Sequence, residues 1–149
     1  MTEMKTATGE LLCSIYKNVK MASDALLTLM PKVKNENLKN DMTVQVSVYE
    51  GFASRAAKLL AENGTKPEEE GMMTKMGAKM GMMMNTLRDA STSHLAEMLV
   101  EGSEMGVNDM TTAIRRAEQA GVAGEPLHLA RHLCDYEHER AEKLRTYLK

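Results

Sequence analysis

The stretch Asn63-Gly-Thr-Lys-Pro-Glu-Glu-Glu70 decides how this chain folds. Asn-Gly reads as a helix end, because glycine adopts the left-handed turn beyond a helix C-terminus at little steric cost. Pro67 and three glutamates then open another helix. Proline suits the first helical turn, and acidic side chains complement the positive end of the helix dipole. The stretch therefore separates a first pair of helices from a second pair and predicts an additional helix over about 67–89.

Working back from it, Leu38, Met42, Val46, Tyr49, Phe52 or Ala53, Ala56 and Leu60 recur at helical spacing and predict a helix over about 36–62. Leu11, Leu12, Ile15, Val19, Ala22, Leu26 and Leu29 predict another over about 6–30, ended by Pro31. The turn at 32–35 is short, so these two helices form an antiparallel hairpin. Working forward, Ser91 caps a helix over about 92–120, with Leu95, Met98 or Leu99, Gly102, Met105, Ala113 and Ala117 inward. Gly121 to Gly124 break it. A last helix over about 126–147 follows, with Leu127, Ala130, Cys134, Glu137, Ala141, Leu144 and Leu148 as its seam. Val44-Gln-Val-Ser-Val48 alternates like a strand, but it lies within the longer helical pattern. The class is all-α, and residues 1–149 read as a single domain.

Composition narrows the function classes. A net charge of -2 gives no electrostatic footprint for nucleic acid. Aromatic residues make up 3% of the chain, with no Trp, too few for a base-stacking surface. No apolar run approaches the length of a membrane span. No basic stretch followed by an apolar one marks a signal peptide. Two cysteines do not make a disulfide framework. The expected location is the cytoplasm, with reduced thiols.

A hairpin, a long connection and a second hairpin resemble the ferritin-like superfamily, near its rubrerythrin-like proteins. The resemblance covers the whole chain and rests on helix order and length. It implies a four-helix bundle crossed by the fifth, methionine-rich helix. Metal-binding members carry Glu on the first and third core helices, and Glu-x-x-His on the second and fourth. With a rise of ~1.5 Å per residue, Glu50, Asp109 and Glu137 fall near one height, with His138 beside Glu137. These four are the candidate metal ligands, for iron, manganese or zinc. The full set is not kept. Ala53 stands where His would follow Glu50, the last helix offers Asp135-x-x-His138, and mid-height on the first helix reads Lys17-Asn-Val-Lys20. The reading is therefore a bundle with a degenerate metal site and no resident cofactor, acting through self-association or a protein partner rather than as an enzyme. The alternative is a metal-binding protein or oxidoreductase with a reduced mid-bundle carboxylate/His site.

Individual residues carry weaker signals. Glu137 on an apolar seam must be paired, protonated or metal-bound. The ordinary reading places it at the seam's edge or against Arg55 or Arg140. His128 and His132 have i, i+4 spacing but lack further ligands, and His94 with Glu97 reads as a surface pair. Seven of the fifteen methionines lie in 67–89. Thioethers suit Cu(I), but the same residues make an apolar face for packing. That face covers so much of the helix circumference that a second copy of the chain is its expected partner.

Overall fold

The computed structural model describes residues 2–67 and 87–148. Among the described residues it contains four long helices and no strand: α1 (Thr2–Leu29), α2 (Glu36–Glu62), α3 (Thr92–Gln119) and α4 (Glu125–Leu144). A 3-10 turn follows α1 at Met30–Lys32, and another follows α4 at Arg145–Tyr147. Most of the expected fifth helix lies outside the described residues. Its flanks do not belong to a helix: Pro67 and residues 87–90 are irregular, and half-buried Leu87 packs on the core.

Helix ends follow local chemistry. Asn35 and Ser91 cap α2 and α3 by accepting hydrogen bonds from the Leu38 and His94 amides, at 3.0 and 3.2 Å. Gly64 and Gly121, at φ 70° and 85°, close α2 and α3. At each end two amides turn back onto the last helical carbonyls: Thr65 onto Leu60 and Gly64 onto Ala61, then Val122 onto Ala117 and Gly121 onto Glu118. This is the Schellman arrangement, which satisfies carbonyls that a helix end leaves open.

Contacts between helices fix their directions. Gly9 faces Asn63 and Thr65, so the start of α1 lies by the end of α2. The Met4 methyl lies over Gly121, and the Asn18 amide donates to the Gly106 carbonyl at 3.2 Å, so α1 runs antiparallel to α3. Phe52 meets His132, Tyr49 meets Tyr136, and Asp41 meets Lys143, so α2 runs antiparallel to α4. With α1 taken as up, the order is up, down, down, up. The chain between Asn63 and Ser91 therefore joins opposite ends of the bundle.

The core is a continuous column of Leu, Ile, Val, Met and Ala from all four helices, including Leu12, Ile15, Leu38, Met42, Leu60, Leu95, Met110, Leu129 and Leu133. At ~25 cal/mol per Å² of apolar surface removed from water, each fully buried Leu or Ile contributes about 2 kcal/mol against the entropy of ordering it. The seams of α1 and α2 lie where the apolar spacing puts them. That of α3 does not. Met105 is 60% exposed and Gly102 is exposed, whereas Ser103, Gly106 and Met110 face inward. No described helix is long and apolar enough to cross a membrane.

Candidate functional site

The apolar column is interrupted at mid-height by polar side chains from every helix: Asn18 on α1, Gln45 and Tyr49 on α2, Ser103 on α3 and Glu137 on α4. Glu137 is the centre. It is 1% exposed, so it lies within the seam and not at its edge. The Tyr49 hydroxyl, itself buried, donates to Glu137 Oε2 at 3.4 Å. The Asn18 amide also favours its charged form. Oε1 is buried without a hydrogen-bond partner. Neither Arg55 nor Arg140 supplies the expected counter-charge: Arg140 lies 5.7 Å from the Tyr136 ring centroid.

These surroundings set the protonation state. Burial raises the Glu137 carboxyl from its ordinary value to about 8, against the opposing hydrogen bonds from Tyr49 and Asn18, and the nearby Asp109 charge pushes the same way. At neutral pH Glu137 is largely a carboxylic acid. Burial is also the main reason the Tyr49 hydroxyl is held far above the usual phenol range, with the Glu137 charge adding to it. The pair is therefore a neutral hydrogen-bonding couple and not an ion pair.

Space for Glu137 comes from Gly106. A Cβ on Gly106 would stand 2.8 Å from the Glu137 Cδ, a separation real side chains do not tolerate. An interior glycine costs a helix about 1 kcal/mol relative to alanine, and here the missing side chain admits the carboxyl.

Glu137 opens on a cavity of about 220 Å³ between α1 and α3. Met21, Ala22, Leu26, Met98 and Leu99 make most of its wall, and Asn18, Gln45, Tyr49 and Ser103 its polar end. Gln45 is 2% exposed and its Nε2 has no hydrogen-bond partner, a second unsatisfied buried group beside Glu137. Asp109 is exposed and stands at the rim, where this cavity meets a larger groove of about 410 Å³ running along α1 and α3 towards Arg116 and Ala120. Tyr49 is held from behind by an edge-on contact with Tyr136, their centroids 5.6 Å apart, and Phe52 packs edge-on against His132 at 5.2 Å.

The four residues read from the sequence as metal ligands separate here. Glu137 is buried at the centre, and Asp109 is near enough to act on it electrostatically. Glu50 and His138 are exposed. The common height is right, since Tyr49 and Asp109 both lie by Glu137, but adjacent helical residues differ by about 100° in direction. Tyr49 therefore points inward where Glu50 points to solvent, and His138 turns away from Glu137. Among the described residues no three His, Cys, Asp or Glu side chains gather as a metal would need. The buried position also lacks the paired carboxylates and Glu-x-x-His of metal-binding ferritin-like members, since one buried carboxyl stands there among amides and hydroxyls. His128 and His132 are exposed, His94 is half-buried, and Cys13 and Cys134 form no disulfide.

Asn18, Gln45, Ser103 and Gly106 are the site residues that apolar periodicity misses, since none carries a hydropathy or motif signal. No family model, curated protein or solved structure matches the chain.

Proposed function

We propose that this chain is a ligand-binding bundle of the ferritin-like arrangement, in which the mid-bundle position serves a small organic molecule instead of a metal. The up, down, down, up order with its long connection supports the arrangement. One observation carries the function: a carboxyl group 1% exposed, with an unpaired Oε1, opening on a cavity of about 220 Å³. Burying a polar group without a partner costs roughly 1–3 kcal/mol, and a bound molecule removes that cost. A cavity of ~150 Å³ already accepts benzene in a helical protein, so this one is of useful size. Self-association through the methionine-rich segment remains part of the proposal and rests on the sequence.

Met21 and Met98 are the natural reporters. In protein labelled at methionine methyl groups, small apolar alcohols should shift their signals saturably, and Ala22→Leu, which fills the cavity wall, should abolish the shifts. A ligand screen that leaves both methyls unmoved would count against a binding role.

A further inference from the structure

We infer that the cavity selects a short aliphatic molecule whose polar end only accepts hydrogen bonds, as a carbonyl or carboxylate oxygen does. This deepens the binding role proposed above and rests on it.

Tyr49 decides which oxygen of Glu137 carries the proton. Its hydroxyl donates to Oε2 at 3.4 Å, so Oε2 serves as the carbonyl oxygen of the acid. The proton then sits on Oε1, which is buried without a partner. Gln45 Nε2 is the second buried atom at this end without a partner, and an amide nitrogen only donates. The polar end therefore holds two unanswered donors, one from α2 and one from α4. A carbonyl oxygen has two lone pairs and can accept from both. A carboxylate offers the same oxygen with a charge added. An ammonium group has donors only, answers neither, and brings further protons into a buried place where an unpaired donor is costly. The remaining wall, made by Met21, Ala22, Leu26, Met98 and Leu99, accepts an unbranched or singly branched chain, and methionine side chains adjust to its shape. The volume suits roughly six to eight heavy atoms, scaled from the cavity that holds benzene.

The titratable and charged groups facing Glu137 come from three sides. Asp109 on α3 stands at the rim, Tyr49 on α2 donates to it, and Arg140 on α4 lies beyond the two tyrosines. From α1 it meets the neutral Asn18. No Lys, Arg or His lines the cavity among the described residues, so no cation there holds Glu137 ionised and its proton remains available to a ligand.

The experiment titrates 2-hexanone, hexanoate, hexylammonium and benzene into the full chain at pH 6.5, read by the Met21 and Met98 methyl signals. The expected result is saturable binding of the better acceptor, 2-hexanone or hexanoate, at least tenfold tighter than of hexylammonium. Both orders of the two acceptors support the inference: 2-hexanone ahead assigns an uncharged carbonyl, and hexanoate ahead assigns a carboxylate. Gln45→Leu should reduce affinity for the better acceptor about five- to tenfold, the loss of one hydrogen bond, while benzene binding persists and reports an intact cavity. Glu137→Gln keeps a carbonyl oxygen for Tyr49 and a donor for the ligand, so it should hold 2-hexanone within about threefold of the parent. Hexylammonium binding as tightly as the better acceptor overturns the inference and leaves the cavity a ligand site. Acceptor affinity unchanged in Gln45→Leu, or leaving the threefold range in Glu137→Gln, also overturns it. If none of the four probes binds, the binding role itself fails.

Discussion

Glu137 and Gly106 face each other across the seam of α3 and α4 so closely that a methyl group on Gly106 would stand 2.8 Å from the Glu137 Cδ. An interior glycine and a buried acid are each unfavourable alone, and here each makes room for the other. Gly106→Ala should therefore destabilise the chain by about 1–3 kcal/mol through overpacking, despite alanine's better helix propensity. Gly51, on an exposed face of α2 with nothing within 4 Å of its notional Cβ, is the control. Gly51→Ala should stabilise by roughly 0.5–1 kcal/mol. Urea denaturation of the two variants checks the opposite signs.

The protonated acid predicts an unusual pH dependence. Burial first, and Asp109 in addition, lift Glu137 in the folded chain to about 8, from an ordinary 4.5. Between those values the folded chain keeps a proton that the unfolded chain has released. Stability contributed by this group is therefore complete below about pH 4.5 and falls as pH rises to 8, by up to roughly 1.4 kcal/mol per pH unit. Glu137→Gln is neutral throughout and should lose this slope, becoming more stable than the parent at pH 8 but not at pH 5. Asp41 gives the opposite sign at lower pH: burial works against its charge, but Tyr147 and Lys143 outweigh it and lower its carboxyl. Its contribution is lost as pH falls. Thermal melts of parent and variant across pH 5–8 read the Glu137 slope alone, because the Asp41 contribution is lost only below that range.

Metal content is a third test. Exposed Glu50 and His138 cannot join Glu137 without moving α2 or unwinding α4. Protein purified without tag or chelator, from cells supplied with iron, manganese and zinc, should carry well under one ion per chain by elemental analysis. A stoichiometric ion that disappears in Glu137→Ala would falsify the organic-ligand assignment and revive the reduced carboxylate/His site.

A fourth prediction comes from the sequence alone. Met76, Met80, Met83 and Leu87 have the spacing of one helical stripe, although Leu87 itself lies outside any helix, and Met72, Met73, Met82 and Met84 would spread over the remaining circumference. Residues 68–86 lie outside the described part of the structure, so the stripe stands on spacing. The chain should self-associate through this segment, and replacing Met82 and Met84 with Glu should give a folded monomer by light scattering and circular dichroism. A parent chain already monomeric at high micromolar concentration favours a different protein partner.

The helices were legible because apolar spacing runs through Leu11–Leu29, Leu38–Leu60 and Leu127–Leu144, and because side-chain caps and closing glycines mark the ends of α2 and α3. The height of the site was legible too, since counting residues from helix ends brings position 109, position 137 and the vicinity of position 49 together. Direction around the helix was not. Ligand-type residues point to Glu50 and His138, one position away from inward-facing Tyr49 and Glu137. On α3 apolar spacing favours the larger hydrophobe Met105 as the inward residue, but the carboxyl opposite needs the empty place of Gly106. A small residue facing a buried polar group carries no apolar signal, and only packing across the seam reveals it.

The protonation state of Glu137 tests the central claim most directly. Its side-chain carboxyl carbon, assigned by loss of the signal in Glu137→Gln, can be followed by 13C NMR from pH 4 to 10. A neutral acid at the end of a ligand cavity predicts a midpoint near 8, moving when a small apolar alcohol is bound. A midpoint near the ordinary 4.5 would mean a charged, solvated or ion-paired carboxylate, and would contradict both the buried acid and the binding site built on it.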